Sequence, residues 1–322
     1  MSVTEAKNNH PSELWHGYWG IQVLQAGQAL GFFEALREKK TIQALAKCLN
    51  LENRYTEMWC EAAHSYQLLD LDDGHYGLPE HCKEWLLQSQ GYTQSHIHLS
   101  RRMNETLRAV FGGRALPEPP ISLRLLLQEN LQANYRWVFQ TASDQSARLN
   151  TILSGPGRVL EVGCGVGYGL GHLRSFYPQL ELFGLETDFE CAQEAERSTK
   201  SIIHIGELPG ERFARGFDLV VCFRTLSAAK EPERLLKECA ELLNPDGVFI
   251  LGSELADKDE NRKSTPRVQG EKLTYNILAG DRLINSYTQA ELEQMLKKSG
   301  FADFSTIDAP DWATPVFVCS TT

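Results

Sequence analysis

The chain has 322 residues, 42% of them hydrophobic and 23% charged, with a formal net charge of −10. That supports two ordinary domain cores and shows no sign of disorder, collagen or a repeat array. The acidic balance argues against nucleic acid, whose affinity rests on counterion release by basic residues, and no apolar run reaches the roughly 20 residues of a membrane helix.

Residues 11–38 read as a helical pair, with Trp15, Trp19, Val23 and Leu24 at helical spacing and Gly31 between the two helices. So aromatic a first helix needs cover, and the expectation is a homodimer formed through this region. The preceding stretch, MSVTEAKNNH, lacks the basic and apolar regions of a secretory leader, so cytoplasmic localisation is expected. From 41 to 87 the order is helix, turn, helix, hairpin. Thr41 caps the first helix, residues 50–53 turn, residues 54–69 form the second helix, and Asp73-Gly74 joins two short strands. That order has the shape of a winged helix. Its three basic residues (Lys47, Arg54 and Lys83) face eight acidic ones, which opposes a DNA-binding role.

Residues 84–111 look helical. Ala115 to Pro120 holds three prolines and reads as a linker, and 121–153 return to helix with Tyr135, Trp137, Val138 and Phe139 as apolar content. The expected division is a helical, winged-helix dimerisation domain over 1–114, a linker and connecting helix over 115–144, and a catalytic domain over 145–322. From Arg158 short apolar runs alternate with helical stretches: RVLEVG, LELFGLE, SIIHIG, FDLVVCF and GVFILGSE, then FSTID and TPVFVCS. The first five predict a parallel sheet covered on both faces. Only residues 309–313 separate the last two, too few for a crossover, so that pair is predicted antiparallel. The fold class is therefore α/β: a doubly wound, Rossmann-like sheet of seven strands, five parallel plus an antiparallel C-terminal pair, behind a mostly helical N-terminal domain.

The most informative segment is Glu161-Val-Gly-Cys-Gly-Val-Gly167, where a strand enters and a helix leaves. Gly163, Gly165 and Gly167 suit left-handed backbone and close ligand approach at the carboxyl edge of the sheet. A dinucleotide fingerprint needs glycine or alanine three positions beyond its second glycine, but Tyr168 and Leu170 stand there in the two possible registers. Glu161, inside the first strand, suits a cationic amino-acid group and would repel a pyrophosphate. Glu186 ends the second strand, where an acid can take two ribose hydroxyls.

With these residues in place the stretch resembles motif I of class I S-adenosylmethionine (SAM) dependent methyltransferases. Phe183-Gly-Leu-Glu186 is similar to the family's second-strand end. Ile205-Gly-Glu-Leu208 resembles the loop after strand three, with Glu207 a longer substitute for the family's aspartate. Phe217–Phe223 resembles strand four, and Leu242-Leu-Asn-Pro-Asp-Gly247 the turn into strand five. The N-terminal order resembles the dimer-forming domain of small-molecule methyltransferases. The resemblance implies SAM as cofactor, held by Glu161, Gly163, Cys164, Gly165, Gly167, Glu186, Thr187, Glu207, Leu208, Cys222 and Phe223. It implies a small-molecule methyl acceptor and in-line displacement, with no nucleic-acid or membrane partner. Related plant-type O-methyltransferases carry a histidine base after strand four. Here Arg224 to Lys230 contains none.

The catalytic candidates are therefore Tyr135, before the glycine turn, and Arg224 and Ser227, after strand four. Ser227 also reads as a helix cap. Glu254 ends strand five, and Tyr275 lies in the insertion 255–286, which is expected to cap the pocket. His96-Ile-His98 lacks a clustered acid or cysteine and reads as bland, so no metal is expected. The eight cysteines form no Cys-x-x-Cys pair and read as reduced thiols. Competing readings are a catalytically inactive SAM-binding scaffold, a SAM-sensing winged-helix regulator, and a nicotinamide oxidoreductase.

Overall fold

The computed structural model describes residues 11–88, 93–94, 97, 100, 108–109, 111–113, 120–129, 131–208, 216–253, 287–307 and 314–321. The chain divides into two compact units, Met1–Ile97 and His98–Thr322. Glu254, Tyr275, His96, His98, the proline-rich stretch 115–119 and the connection 309–313 lie outside the described residues.

In the first unit α1 (Pro11–Ala29) and α2 (Phe32–Ala35) meet at Gly31, whose φ of 77° needs no Cβ penalty. Thr41 accepts the Ala44 N–H to start α3 (Ile42–Leu49), and Asn50, at φ 54°, ends it. Helix α4 (Asn53–Ser65) stops four residues short of the predicted Leu69 because Tyr66 and Gln67 turn back, Gln67 at φ 60°. Strands β1 (Asp70–Asp72) and β2 (His75–Gly77) form the predicted antiparallel hairpin, with Asp73 and Gly74 both at positive φ, and α5 (Lys83–Gln88) follows. The core joins Leu24, Phe32, Phe33, Leu45, Leu69 and Tyr76. The Trp59 ring stacks on Phe32 at 3.9 Å while its Nε1 donates to the Val23 carbonyl. Leu14, Trp15, Tyr18, Trp19 and Ile21 of α1 stay exposed within the chain.

The second unit opens with α6 (Ile121–Glu129), α7 (Leu131–Gln140), a 3₁₀ turn (Ala142–Gln145) and α8 (Ala147–Ser154). The sheet is built from β3 (Arg158–Val162), β4 (Glu181–Glu186), β5 (Ile202–Ile205), β6 (Phe217–Phe223), β7 (Leu243–Gly252), β8 (Asp303–Ile307) and β9 (Val316–Ser320), in the order β5-β4-β3-β6-β7-β9-β8. The first five run parallel, and β9 is antiparallel to both neighbours, as predicted. Helices α9 (Tyr168–Phe176) and α10 (Phe189–Thr199) follow β3 and β4, α11 (Pro232–Leu242) follows β6, and α12 (Gln289–Lys298) precedes β8 behind a Thr288/Glu291 capping box.

The five inner strands, β3, β4, β6, β7 and β9, bury both faces, while the edge strands β5 and β8 stay partly exposed. Val159, Leu219, Val221 and Ile250 pack with Val138, Phe139, Leu153 and Leu170 on one side. Leu160, Val220, Phe249 and Leu251 pack with Leu236, Cys239, Leu292 and Leu296 on the other. Continuous apolar strands therefore read cleanly from sequence. One boundary differs: residues 242–247 look like a turn, yet β7 begins at Leu243. Its register against β6 jumps between Phe217 and Leu219, so Asn244–Gly247 form an irregular bulge whose Asn244 side chain donates to Asp218 at 2.7 Å.

Candidate cofactor crevice

Strand β3 has β4 on one side and β6 on the other, so its carboxyl end sits at the switch point of the sheet, where open α/β sheets place ligands. The glycine turn leaves from that point. Gly163, Gly165 and Gly167 have φ of 72°, 54° and 89°, all left-handed, so a Cβ would strain each. The turn's N–H groups are nevertheless all engaged. Gly163 and Cys164 donate to the Leu185 carbonyl at 2.8 and 3.1 Å, Gly165 to Glu186 Oε2 at 2.8 Å, and Val166 to Gln128 Oε1 at 2.8 Å.

Glu161 lies under this turn, 1% exposed. Tyr135, from α7, donates its hydroxyl to Oε1 at 2.6 Å, and Leu170 supplies a backbone N–H from the first turn of α9. Oε2 is buried with no hydrogen-bond partner among the described residues. Burial is the main cause that raises the carboxyl to about 7. The Tyr135 and Leu170 bonds pull the other way, and Glu186 adds repulsion. An orphaned carboxylate oxygen at this depth fits a cation better than an anion. Burial, then the Glu161 charge, pushes the Tyr135 phenol well above its ordinary value, while Arg224 opposes. Tyr135 therefore remains a hydroxyl donor, its ring tilted by 42° against Phe223 with the centroids 5.1 Å apart.

Glu186 ends β4 half-buried and fully partnered: Oε2 holds Gly165, and Oε1 accepts the Asp188 N–H at 2.9 Å and the exposed Thr187 hydroxyl at 3.3 Å. Beyond β5, Glu207 is exposed and Leu208 buried. On the other side of β3, Arg224 follows β6 with φ of 57°, a strained value for a side chain of its size, its N–H bonded to the Gly252 carbonyl at 2.7 Å. The Ser227 hydroxyl donates to the Arg224 carbonyl at 3.3 Å, a local capping contact. The Cys164 and Cys222 side chains are buried in the cores on opposite faces of the sheet, so only their backbone borders the crevice. Tyr135, Glu161, the three glycines, Glu186, Phe223 and Arg224 thus gather at one end of the sheet.

Three neighbours of the crevice escape sequence reasoning. Thr225 fills the space above Gly163, its hydroxyl 3.1 Å from the Val162 carbonyl. Gln128 fills the space over Gly165. Arg124, one helical turn earlier and 7% exposed, pairs with both Asp188 and Glu190 at the start of α10. Polar residues on an apolar helix look like a solvated face in sequence, and their i, i+4 spacing is the one available signal. Among the described residues no cluster could hold a metal, and all eight cysteines are free. His64 and His75 each contact a backbone carbonyl at 2.8 Å.

A family model described as a methyltransferase domain matches residues 134–306. A 3-hydroxy-5-methyl-1-naphthoate 3-O-methyltransferase of Streptomyces sahachiroi is 26% identical over 92% of this chain and 90% of its own. Among solved structures, the S-adenosylmethionine-dependent methyltransferase SibL superposes with a TM-score of 0.68 at 18% identity, covering 95% of this chain and 97% of that one. Human N-acetylserotonin methyltransferase, solved in complex with SAM, gives 0.62 at 19% identity with both chains fully covered. At such identities the structural likeness speaks to the fold.

Proposed function

The chain belongs to the methyltransferase-domain family, and from that premise we propose that it moves a methyl group from S-adenosylmethionine to a small-molecule acceptor, with an aromatic hydroxyl as the first acceptor to test. The observation that carries the reading is a pair of unlike carboxylates about one glycine turn: Glu161, buried with an oxygen lacking a partner, and Glu186 on the rim. When bound, the cofactor supplies an electrophilic methyl on a sulfonium, beside a cationic amino group and a ribose diol. Glu161 with the backbone of Gly163, Cys164, Gly165 and Gly167 would hold the amino-acid end. Glu186 and Thr187 would hold the ribose, Glu207 and Leu208 the base, and Cys222 and Phe223 the wall on β6.

Tyr135 orients Glu161, and Arg224 projects from a strained turn beside that pair, whereas Ser227 braces the turn. In-line methyl transfer gains about 7–11 kcal/mol from alignment, and a general base adds roughly 10²–10⁴-fold. An acceptor hydroxyl acidic enough to ionise near neutral pH suits a strand-four turn without histidine. The naphthoate named for the Streptomyces relative carries an aromatic hydroxyl. Titration with S-adenosylhomocysteine, followed by SAM turnover on hydroxynaphthoates and hydroxyindoles, tests this. Binding with methylation of a hydroxyaromatic is expected. A folded protein that takes up neither cofactor form overturns the reading, and binding without turnover across a broad panel favours an inactive scaffold.

The helix, turn, helix and hairpin order supports a winged-helix reading of the first unit, used for assembly. The exposed aromatic face of α1 supports cover by a second copy. Light scattering at micromolar concentration should give a dimer mass; a monomer would refute it. No helix among the described residues is long and apolar enough to cross a membrane, and the cytoplasm is the proposed location.

A further inference from the structure

Two turns frame the crevice, and α6 holds both. Arg124 pairs with Asp188 and Glu190, just beyond Glu186. Gln128, on the same helical face, accepts the Val166 N–H at 2.8 Å and lies against Gly165. Gly165 in turn donates to Glu186 at 2.8 Å. One helix, the glycine turn and the β4–α10 turn thus form a closed ring of polar contacts.

The partner of Val166 is chemically specific. This N–H sits two residues before α9, where backbone donors and the helix dipole favour a negative oxygen. A neutral carboxamide oxygen satisfies it, but a carboxylate would do so with a stronger, charge-assisted bond. The proposed cofactor carries a carboxylate at the end that would lie on this turn. We infer that Gln128 is a placeholder: its carboxamide occupies the Val166 N–H and covers Gly165, and yields that donor to the carboxylate of the incoming cofactor. Arg124 keeps α6 anchored while Gln128 swings away. The placeholder keeps a buried donor satisfied without ligand and makes cofactor entry an exchange of hydrogen bonds. The inference rests on the cofactor reading given above.

The test compares wild type, Gln128→Ala and Gln128→Glu, each checked for an unchanged circular dichroism spectrum, by stopped-flow binding of S-adenosylhomocysteine and of 5′-methylthioadenosine, which lacks the amino-acid end. Q128A should bind S-adenosylhomocysteine faster by about two- to tenfold, as expected when one neutral hydrogen bond need not be broken. Q128E, which offers its own carboxylate to Val166, should bind it more slowly than wild type. Methylthioadenosine should be insensitive to both changes. Slower or unchanged association of S-adenosylhomocysteine with Q128A overturns the placeholder, as does an equal effect on both ligands. In either case wild-type binding leaves the cofactor reading intact; its absence from folded wild type removes that reading instead. As a second readout, the side-chain amide resonance of Gln128 should shift on saturation with S-adenosylhomocysteine and stay put with methylthioadenosine.

Discussion

The ends of β3 and β4 lie side by side in register, with Glu161 opposite Gly184 and Glu186 two residues further along β4, yet their carboxylates live by opposite rules. Glu161 is sealed in, tied by one phenol and one backbone N–H, and left with an oxygen unmatched. Glu186 is half-exposed and holds two backbone donors and a hydroxyl. Burial without full partnering makes the first a standing demand for positive charge. Full partnering makes the second a site that must trade bonds before it can take a diol. Neighbouring acids of one sheet edge can therefore serve the two ends of one ligand.

The contrast breaks most visibly at the rim. Glu186→Ala should cost roughly 10²-fold or more in S-adenosylhomocysteine affinity, since a charged acceptor of two hydroxyls is lost at about 1.5–3 kcal/mol per bond. Calorimetry on folded protein reads this, and a loss under threefold would mean that Glu186 only braces Gly165. Arg124→Ala should lower stability by about 2 kcal/mol, because a buried cation with charged partners is removed. The partners themselves are partly exposed and can turn to water, which limits the cost. Urea unfolding checks it, and an unchanged midpoint would contradict the anchoring role of α6.

The buried end is sharpened by pH. Glu161 holds its proton up to about 7, above its unfolded value, so its contribution to stability is full below about 4.5 and is lost as pH rises through 7. A cation wants the ionised form, so cofactor affinity should rise through the same range, with a proton released on binding. Glu161→Gln should flatten that rise and weaken binding about tenfold at pH 8, the loss of one charged partner. Calorimetry in buffers of different ionisation heat would detect the proton, and a pH-independent affinity in wild type would contradict the burial argument. His172 gives a smaller effect of opposite sense. Burial and Arg136 lower it to about 4, between Phe139 and Phe176. Stability is therefore full above about 6.5 and falls toward 4, by on the order of 1–2 kcal/mol after discounting for its partial exposure. His172→Phe should remove that acid-side loss in thermal melts between pH 4 and 7.

How legible each part was follows from its physics. The inner strands stand out because burial on both faces makes them continuous apolar runs, and the glycine turn because left-handed backbone needs glycine at alternate positions. The partners of that turn are hidden. Nothing in Gln128 or Thr225 as residue types distinguishes a crevice contact from a solvated or capping side chain. Asn244–Gly247 carries strong turn signals, yet the Asn244 side chain bonds back to Asp218 of β6 and the segment becomes a bulge in β7. Tyr135 reads as either a core aromatic or a catalytic phenol. In the structure its hydroxyl donates to Glu161, a contact that the sequence spacing of the two residues does not reveal.

The most direct test is calorimetric titration of S-adenosylhomocysteine into wild type and a Glu161→Ala/Glu186→Ala double variant, both verified as folded. Saturable one-site binding to wild type is expected, with roughly a thousandfold loss or more in the double variant, the sum of two charged contacts. Equal affinity for the two proteins would contradict it.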